Sequence, residues 1–206
     1  MITHDGLDNI LFTTKRADIV MDKGEGMYLW DNNGKKYLDF IAGWAVNTLG
    51  HSPKVLVDTL TNQAKTCINA SPAFYNTMML EFAKELTSRT CLQKVFFCST
   101  GAEANESAIK CARKWGAIHK SGAYKIITMK RGFHGRTLAT MSATGKDAFQ
   151  TMFEPKVPGF IHVPFNNIDA VKTASTNDVC AVMLEVIQGE GGVYPANEDY
   201  MIQLKQ

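Results

Sequence analysis

The run Ser99-Thr100-Gly101-Ala102-Glu103-Ala104-Asn105-Glu106 constrains this chain more than any other. It follows Val95, Phe96, Phe97 and Cys98, a short apolar and aromatic run that predicts a buried strand. After it, Ala104, Ala108, Ile109, Ala112, Trp115 and Ile118 form the apolar stripe of a helix. Thr100 and Glu103 have the spacing of a capping box, with Thr100 as N-cap and Glu103 reaching back to it. A helix entered from a strand through small residues presents unpaired backbone N–H groups and the positive end of its dipole. Phosphate is the common occupant of such a place. These residues alone describe an ordinary capped helix equally well.

The surrounding rhythm is that of an α/β protein. Ser121-Gly122 ends the helix, and residues 125–129 read as a second strand. Strand, helix and strand in about 35 residues predict a βαβ unit with a parallel pair. Residues 160–164 predict a third strand, and Asn167 caps a short helix over Ile168, Val171 and Ala174. Residues 179–187 are apolar enough for a central strand, and a last helix begins at Asn197. Two loops, at 130–137 and 188–192, then fall at strand carboxyl ends, where open α/β sheets gather their ligands. Nearer the N-terminus, Asp31-Asn32-Asn33-Gly34 sits between two aromatic runs and predicts a β-hairpin. A glycine-punctuated loop covers 42–51. Helices are expected after Pro53 and from Met78 to Arg89.

Bulk properties exclude several classes. The chain has 206 residues and a net charge of +2, too small to argue for nucleic acid or an acidic membrane surface. No apolar run reaches membrane-spanning length, and no signal-peptide layout opens the chain. The five cysteines form no C-x-x-C pair, which fits reduced packing residues in the cytoplasm. Neither G-x-G-x-x-G nor G-x-x-x-x-G-K-[ST] occurs, which disfavours a nucleotide-binding α/β domain.

Four stretches, taken together and in order, resemble the class III pyridoxal-phosphate aminotransferases: AGWAVNTLGH (42–51), STGAEANE (99–106), GFHGRTL (132–138) and EVIQGEGG (185–192). The resemblance implies a fold type I transferase. Residues 1–50 would hold a small-domain segment with the hairpin, and 51–206 an incomplete, mainly parallel large-domain sheet. It implies pyridoxal phosphate as cofactor, with Thr100, Gly101 and Ala102 at its phosphate. Phe133 would stack on its ring, and His134 is either a cofactor contact or a structural residue. Arg136 matches the arginine that holds a substrate carboxylate, a task suited to its planar fork. Glu190 matches a pocket glutamate that pairs with an arginine from later in the family's chain. Glu185 reads as structural, and Trp44 and Asn47 as rim residues of the pocket or the partner subunit.

The implied reaction transfers an amino group from N-acetylornithine to 2-oxoglutarate in a homodimer, with ornithine and 4-aminobutyrate open as donors. The family's Schiff-base lysine and pyridine-nitrogen aspartate match nothing here, so the resemblance assigns the chain no catalytic residue. Lys110, Lys114 and Lys130 read as solvated charges. The expectation is the first half of an aminotransferase, inactive alone, insoluble or paired. A non-catalytic phosphate-binding remnant acting through a partner is the alternative.

Overall fold

The computed structural model describes residues 6–206 and divides into two units, one up to Lys84 and one from Glu85 to Gln206. In the first, β1 (Met21–Glu25), β2 (Tyr28–Asp31) and β3 (Lys36–Leu38) form an antiparallel meander. The expected hairpin is β2–β3. Asp31 builds its turn: one carboxylate oxygen accepts from the N–H groups of Asn33 and Lys35, both at 2.9 Å, and the other from the Tyr37 hydroxyl. β1 was not foreseen, because Met-Asp-Lys-Gly-Glu has no alternating apolar pattern; it is held as an edge strand by β2 alone.

The 42–51 stretch is more than a loop. Ala42–Ala45 (α1) is a single turn with φ between 49° and 66° at all four residues, the left-handed region. Its neighbour His51 exchanges backbone hydrogen bonds with Gly26, and its Nε2 lies 2.7 Å from the Asp39 carboxylate. Helices α2 (Lys54–Thr66) and α3 (Thr77–Ser88) follow where periodicity put them, α2 with Pro53 at its N-cap.

The second unit opens with an unexpected result. Residues 95–98 have no regular secondary structure and belong to no ladder among the described residues, so the expected first strand and its βαβ pairing with 125–129 are not formed. An apolar run specifies burial, whereas a strand also needs a partner for its N–H and C=O groups. After them come α4 (Gly101–His119), β4 (Lys125–Met129), α5 (Leu138–Ala143), α6 (Asp147–Gln150), β5 (Phe160–Val163), α7 (Ile168–Ala174) and β6 (Val179–Met183). Strand order is β5-β4-β6, all parallel. The central strand is therefore β4, not the 179–187 segment. β6 ends at Met183, and Ile187–Gln188 (β7) turns away to pair antiparallel with Tyr194–Pro195 (β8). Glu198–Lys205 (α8) closes the described chain.

β4 is apolar on both faces because helices cover both. Ile127 and Met129 pack with Val163, Val171, Val179 and Tyr200, the cluster under α7 and α8. On the opposite face, Ile126 lines a cleft together with Ala108, Ile109 and Ala112 of α4. At Gly116 the helix comes so close that a Cβ would lie 2.0 Å from the Ala123 carbonyl oxygen. Ile127 is fully buried at the middle of this arrangement. Its replacement by Ala is expected to cost about 3 kcal/mol, read as a lower urea midpoint with an unchanged slope.

Candidate functional site

The site is assembled at the start of α4. Thr100 is the N-cap: its hydroxyl accepts from the Glu103 N–H at 3.1 Å. The Glu103 carboxylate reaches one residue further back than expected and takes the N–H of Ser99 at 2.6 Å. Gly101 and Ala102, as the first helical residues, have N–H groups without an intrahelical acceptor. A Cβ on Gly101 would meet nothing within 4 Å. The result is an open, positively polarised helix end at the front of 19 aligned peptide units.

The loop leaving β4 is clasped onto this helix end. Asn105, one turn into α4, donates its amide to the His134 carbonyl at 2.7 Å, and the Thr137 hydroxyl pairs with the Glu106 carboxylate. Gly135 has φ of 133°, and a Cβ there would lie 2.5 Å from Thr140 Oγ1 and 3.1 Å from the Ala102 Cβ. Only glycine fits that approach. From the other side, Glu185, just past β6, accepts the Phe133 N–H at 2.8 Å. The His134 N–H donates to Thr144 Oγ1 at 2.9 Å. Thr137 caps α5 and so fixes where the loop ends.

These anchors sort the loop residues. Phe133 is half-buried and shares a cleft of about 420 Å³ with Asn105, Ile109, Val182, Leu184 and Glu185. Arg136 is exposed and forms no ion pair among the described residues. Glu190, on the loop after β7, pairs with Lys146, not with an arginine. His134 is 3% exposed, and its ring Nε2 has no hydrogen-bond partner. The loop that carries Phe133, His134 and Arg136 is thus tied to the helix that begins with Gly101 and Ala102 and is capped by Thr100. Glu190 reaches this loop through Lys146, whose Nζ lies 5.1 Å from the Phe133 ring centroid. Trp44 and Asn47 belong to the other unit. Sequence reasoning missed Lys146, which no motif contains, and the clasping roles of Asn105 and Glu106, visible only as helix positions facing a loop.

Comparisons with known proteins identify the family of the chain. The family model for class-III aminotransferases matches residues 12–206. The acetylornithine aminotransferase of Ralstonia nicotianae is 52% identical over 97% of this chain and 51% of its own length. That of Caldanaerobacter subterraneus is 45% identical over 98% of the chain and 51% of its own. Among solved structures, Toxoplasma gondii ornithine aminotransferase superposes with a TM-score of 0.88 at 30% identity, covering 96% of this chain and 48% of its own. N-acetylornithine aminotransferase from Stenotrophomonas maltophilia gives 0.75 at 36%, covering 90% and 46%. A parallel sheet of fold type I, with an anion-ready helix end and an aromatic loop at its carboxyl edge, defines a pyridoxal-phosphate transferase. The chain belongs to the class-III aminotransferase family, whose cofactor is pyridoxal phosphate. It spans about half the length of the curated relatives it matches.

Burial, with repulsion from His162 second, lowers the pKa of His134 from 6.5 to about 4, and burial lowers that of His162 too. The folded state keeps His134 neutral and disfavours the protonated form of His162, while the unfolded chain takes up protons below about pH 6.5. Stability is therefore expected to fall as pH drops from about 6.5 towards 4, by about 3 kcal/mol for His134. Denaturant titrations across that window check this, and His134→Gln is expected to flatten the dependence.

Proposed function

We propose that these 206 residues are the phosphate- and carboxylate-binding portion of an aminotransferase that moves an amino group from N-acetylornithine to 2-oxoglutarate. The observation that carries this reading is the clasp of the 130–137 loop onto the first turns of α4. It ties the loop that carries Phe133 and Arg136 to the first turns of the helix whose leading N–H groups lack intrahelical acceptors. The residues fit pyridoxal phosphate: the space at Gly101 admits a phosphate against the Gly101 and Ala102 N–H groups, and Thr100 adds a hydroxyl. Phe133 offers a flat face to the pyridine ring. When bound, that cofactor supplies the electron sink that transamination needs.

Arg136 takes a substrate carboxylate in a bidentate pair, for which its lack of an ion-pair partner among the described residues leaves it available. Glu190 lies on the donor side of the pocket. His134 is a positioning residue: buried and neutral, it holds the loop between Phe133 and Arg136 at a fixed height. The donor assignment is supported by the printed names of the Ralstonia and Caldanaerobacter relatives; ornithine and 4-aminobutyrate are the competing donors. The amine-transferring lysine and the aspartate for the pyridine nitrogen match no stretch of these residues. The unit up to Lys84 supplies the small-domain hairpin in this reading. The exposed apolar side chains of α2, among them Val55 and Leu60, support burial against a second copy.

The test is binding of deoxypyridoxine phosphate, the cofactor analogue with a methyl group in place of the aldehyde, followed by fluorescence. Saturable binding is expected, and Thr100→Asp is expected to weaken it about tenfold or more by setting a carboxylate against the phosphate. Equal affinity in the Thr100→Asp chain would overturn the phosphate site.

A further inference from the structure

A second cleft, of about 400 Å³, opens at the carboxyl edge of the same sheet and shares no lining residue with the one around Phe133. Lys130 and Arg131 line it from the end of β4, Phe165 and Asn166 from the end of β5, and Gln188 and Tyr194 from β7 and β8. The backbone beneath the two cations is fixed. The Lys130 N–H donates to the Val163 carbonyl at 2.8 Å, the Lys130 carbonyl accepts from Gln188 Nε2 at 3.0 Å, and the Arg131 N–H donates to the Gly145 carbonyl at 2.7 Å. Asn166 fixes another wall: its amide donates to the Pro195 carbonyl at 3.2 Å, and its Oδ1 accepts the Asn197 N–H at 2.9 Å. Lys130 and Arg131 themselves are exposed, and neither forms an ion pair among the described residues. No carboxylate among the described residues lines the cleft. Left-handed backbone occurs around it without glycine, at Arg131 (φ 66°), Asn166 (φ 59°) and Val193 (φ 60°), the residue before Tyr194. Asparagine tolerates that region, but a long or β-branched side chain does so at a cost, and such outliers gather at binding sites.

We propose that this cleft is a second anion site, separate from the helix end at Gly101, for a small ring-bearing molecule that ends in a phosphate or a carboxylate. The Arg131 guanidinium offers a planar fork and the Lys130 ammonium a compact charge, a pair suited to an anionic head group. Phe165 and Tyr194 add aromatic surface to the same cleft, against which a planar body packs. At about 400 Å³ the cleft is larger than a bare ion fills and falls within the range of small-molecule sites. The main-chain groups named above are already paired with protein, so recognition of the head group falls to the two cationic side chains. Lys130 reads as a solvated charge in the sequence; its setting comes from β5 and β7, which are remote from it in the chain. The site does not depend on Thr100, Gly101 and Ala102 being a phosphate cradle, and it stands or falls separately.

The test is calorimetric titration of the whole chain with phenyl phosphate, run on the unaltered sequence and on Thr100→Asp, which sets a carboxylate at the helix end. Saturable binding is expected in both. Combining Lys130→Gln with Arg131→Asn removes both charges and keeps a residue that accepts left-handed backbone at 131. That double variant is expected to weaken binding about tenfold or more, with an unchanged urea midpoint because both positions are exposed. Inorganic phosphate, which has no ring, is expected to bind about fivefold more weakly than phenyl phosphate. Benzoate, titrated alongside, sorts the head group: the tighter of the two ring-bearing probes names it. Binding that survives the double variant overturns the proposal. So does binding that vanishes in Thr100→Asp alone, which would place the anion at the start of α4 and leave the cofactor-site reading intact. Equal affinity for inorganic phosphate and phenyl phosphate would mean an adventitious ion only, and no binding of either ring-bearing probe overturns the site outright.

Discussion

Everything at the carboxyl edge of the sheet depends on how the chain finds hydrogen-bond partners after leaving β4. Inside the sheet, β4 is paired on both sides, by β5 and by β6. Past Met129 that ladder ends, and irregular backbone must be paired some other way or left wet. The solution is a loop that closes on itself at Gly145 and is tied to three elements: α4 through Asn105, the end of β6 through Glu185, and the end of α5 through Thr144. A hydrogen bond to a charged acceptor such as Glu185 contributes about 1.5–3 kcal/mol. Several such ties make the loop part of the rigid body, although it has no secondary structure of its own.

That rigidity explains why neighbouring residues have opposite fates. His134 and Gly135 are buried, Phe133 is half-buried and Arg136 is exposed. Gly132 and Gly135 carry the backbone close to Met129 and to Thr140, where side chains would collide. Between them, His134 is driven inward. Its ring stays neutral because ionising it in that setting would cost desolvation energy and add repulsion from His162. Presenting Arg136 outward is the corollary of burying His134.

The sequence carried the elements well and their pairing poorly. The hairpin turn, the caps at Thr100 and Asn167 and the helices after Pro53 and Asn76 were legible because each is a local matter of a few residues. Strand identity was not. Residues 95–98 have as apolar a composition as β4 yet find no ladder, and β1 has none of that composition yet finds one. Pairing is a property of two segments, and one segment cannot display it. The site was legible where a motif coincided with a helix start or a glycine turn. It was illegible at Asn105 and Lys146, whose roles depend on which distant backbone passes them.

Two cations, Lys146 against the Phe133 ring and Arg136 three residues further along the loop, show how the fold distributes charge at this edge. Lys146 is neutralised by Glu190 and partly shielded by aromatic rings, so its field is short-ranged. Arg136 is exposed and has no counter-ion among the described residues. An incoming dianion therefore meets one uncompensated guanidinium and one helix dipole, both favourable, and no free carboxylate beside them, since Glu103 and Glu106 are committed to Ser99 and Thr137. On the proposed function, this arrangement would attract anions without a large net charge on the chain. Because Arg136 is solvated, its share of that attraction weakens with salt, while the N–H groups of the helix end, acting by contact, keep theirs. In the proposed site, long-range attraction and close recognition would thus be carried by different groups, which is how a chain of net charge +2 would hold an anion at one edge of its sheet.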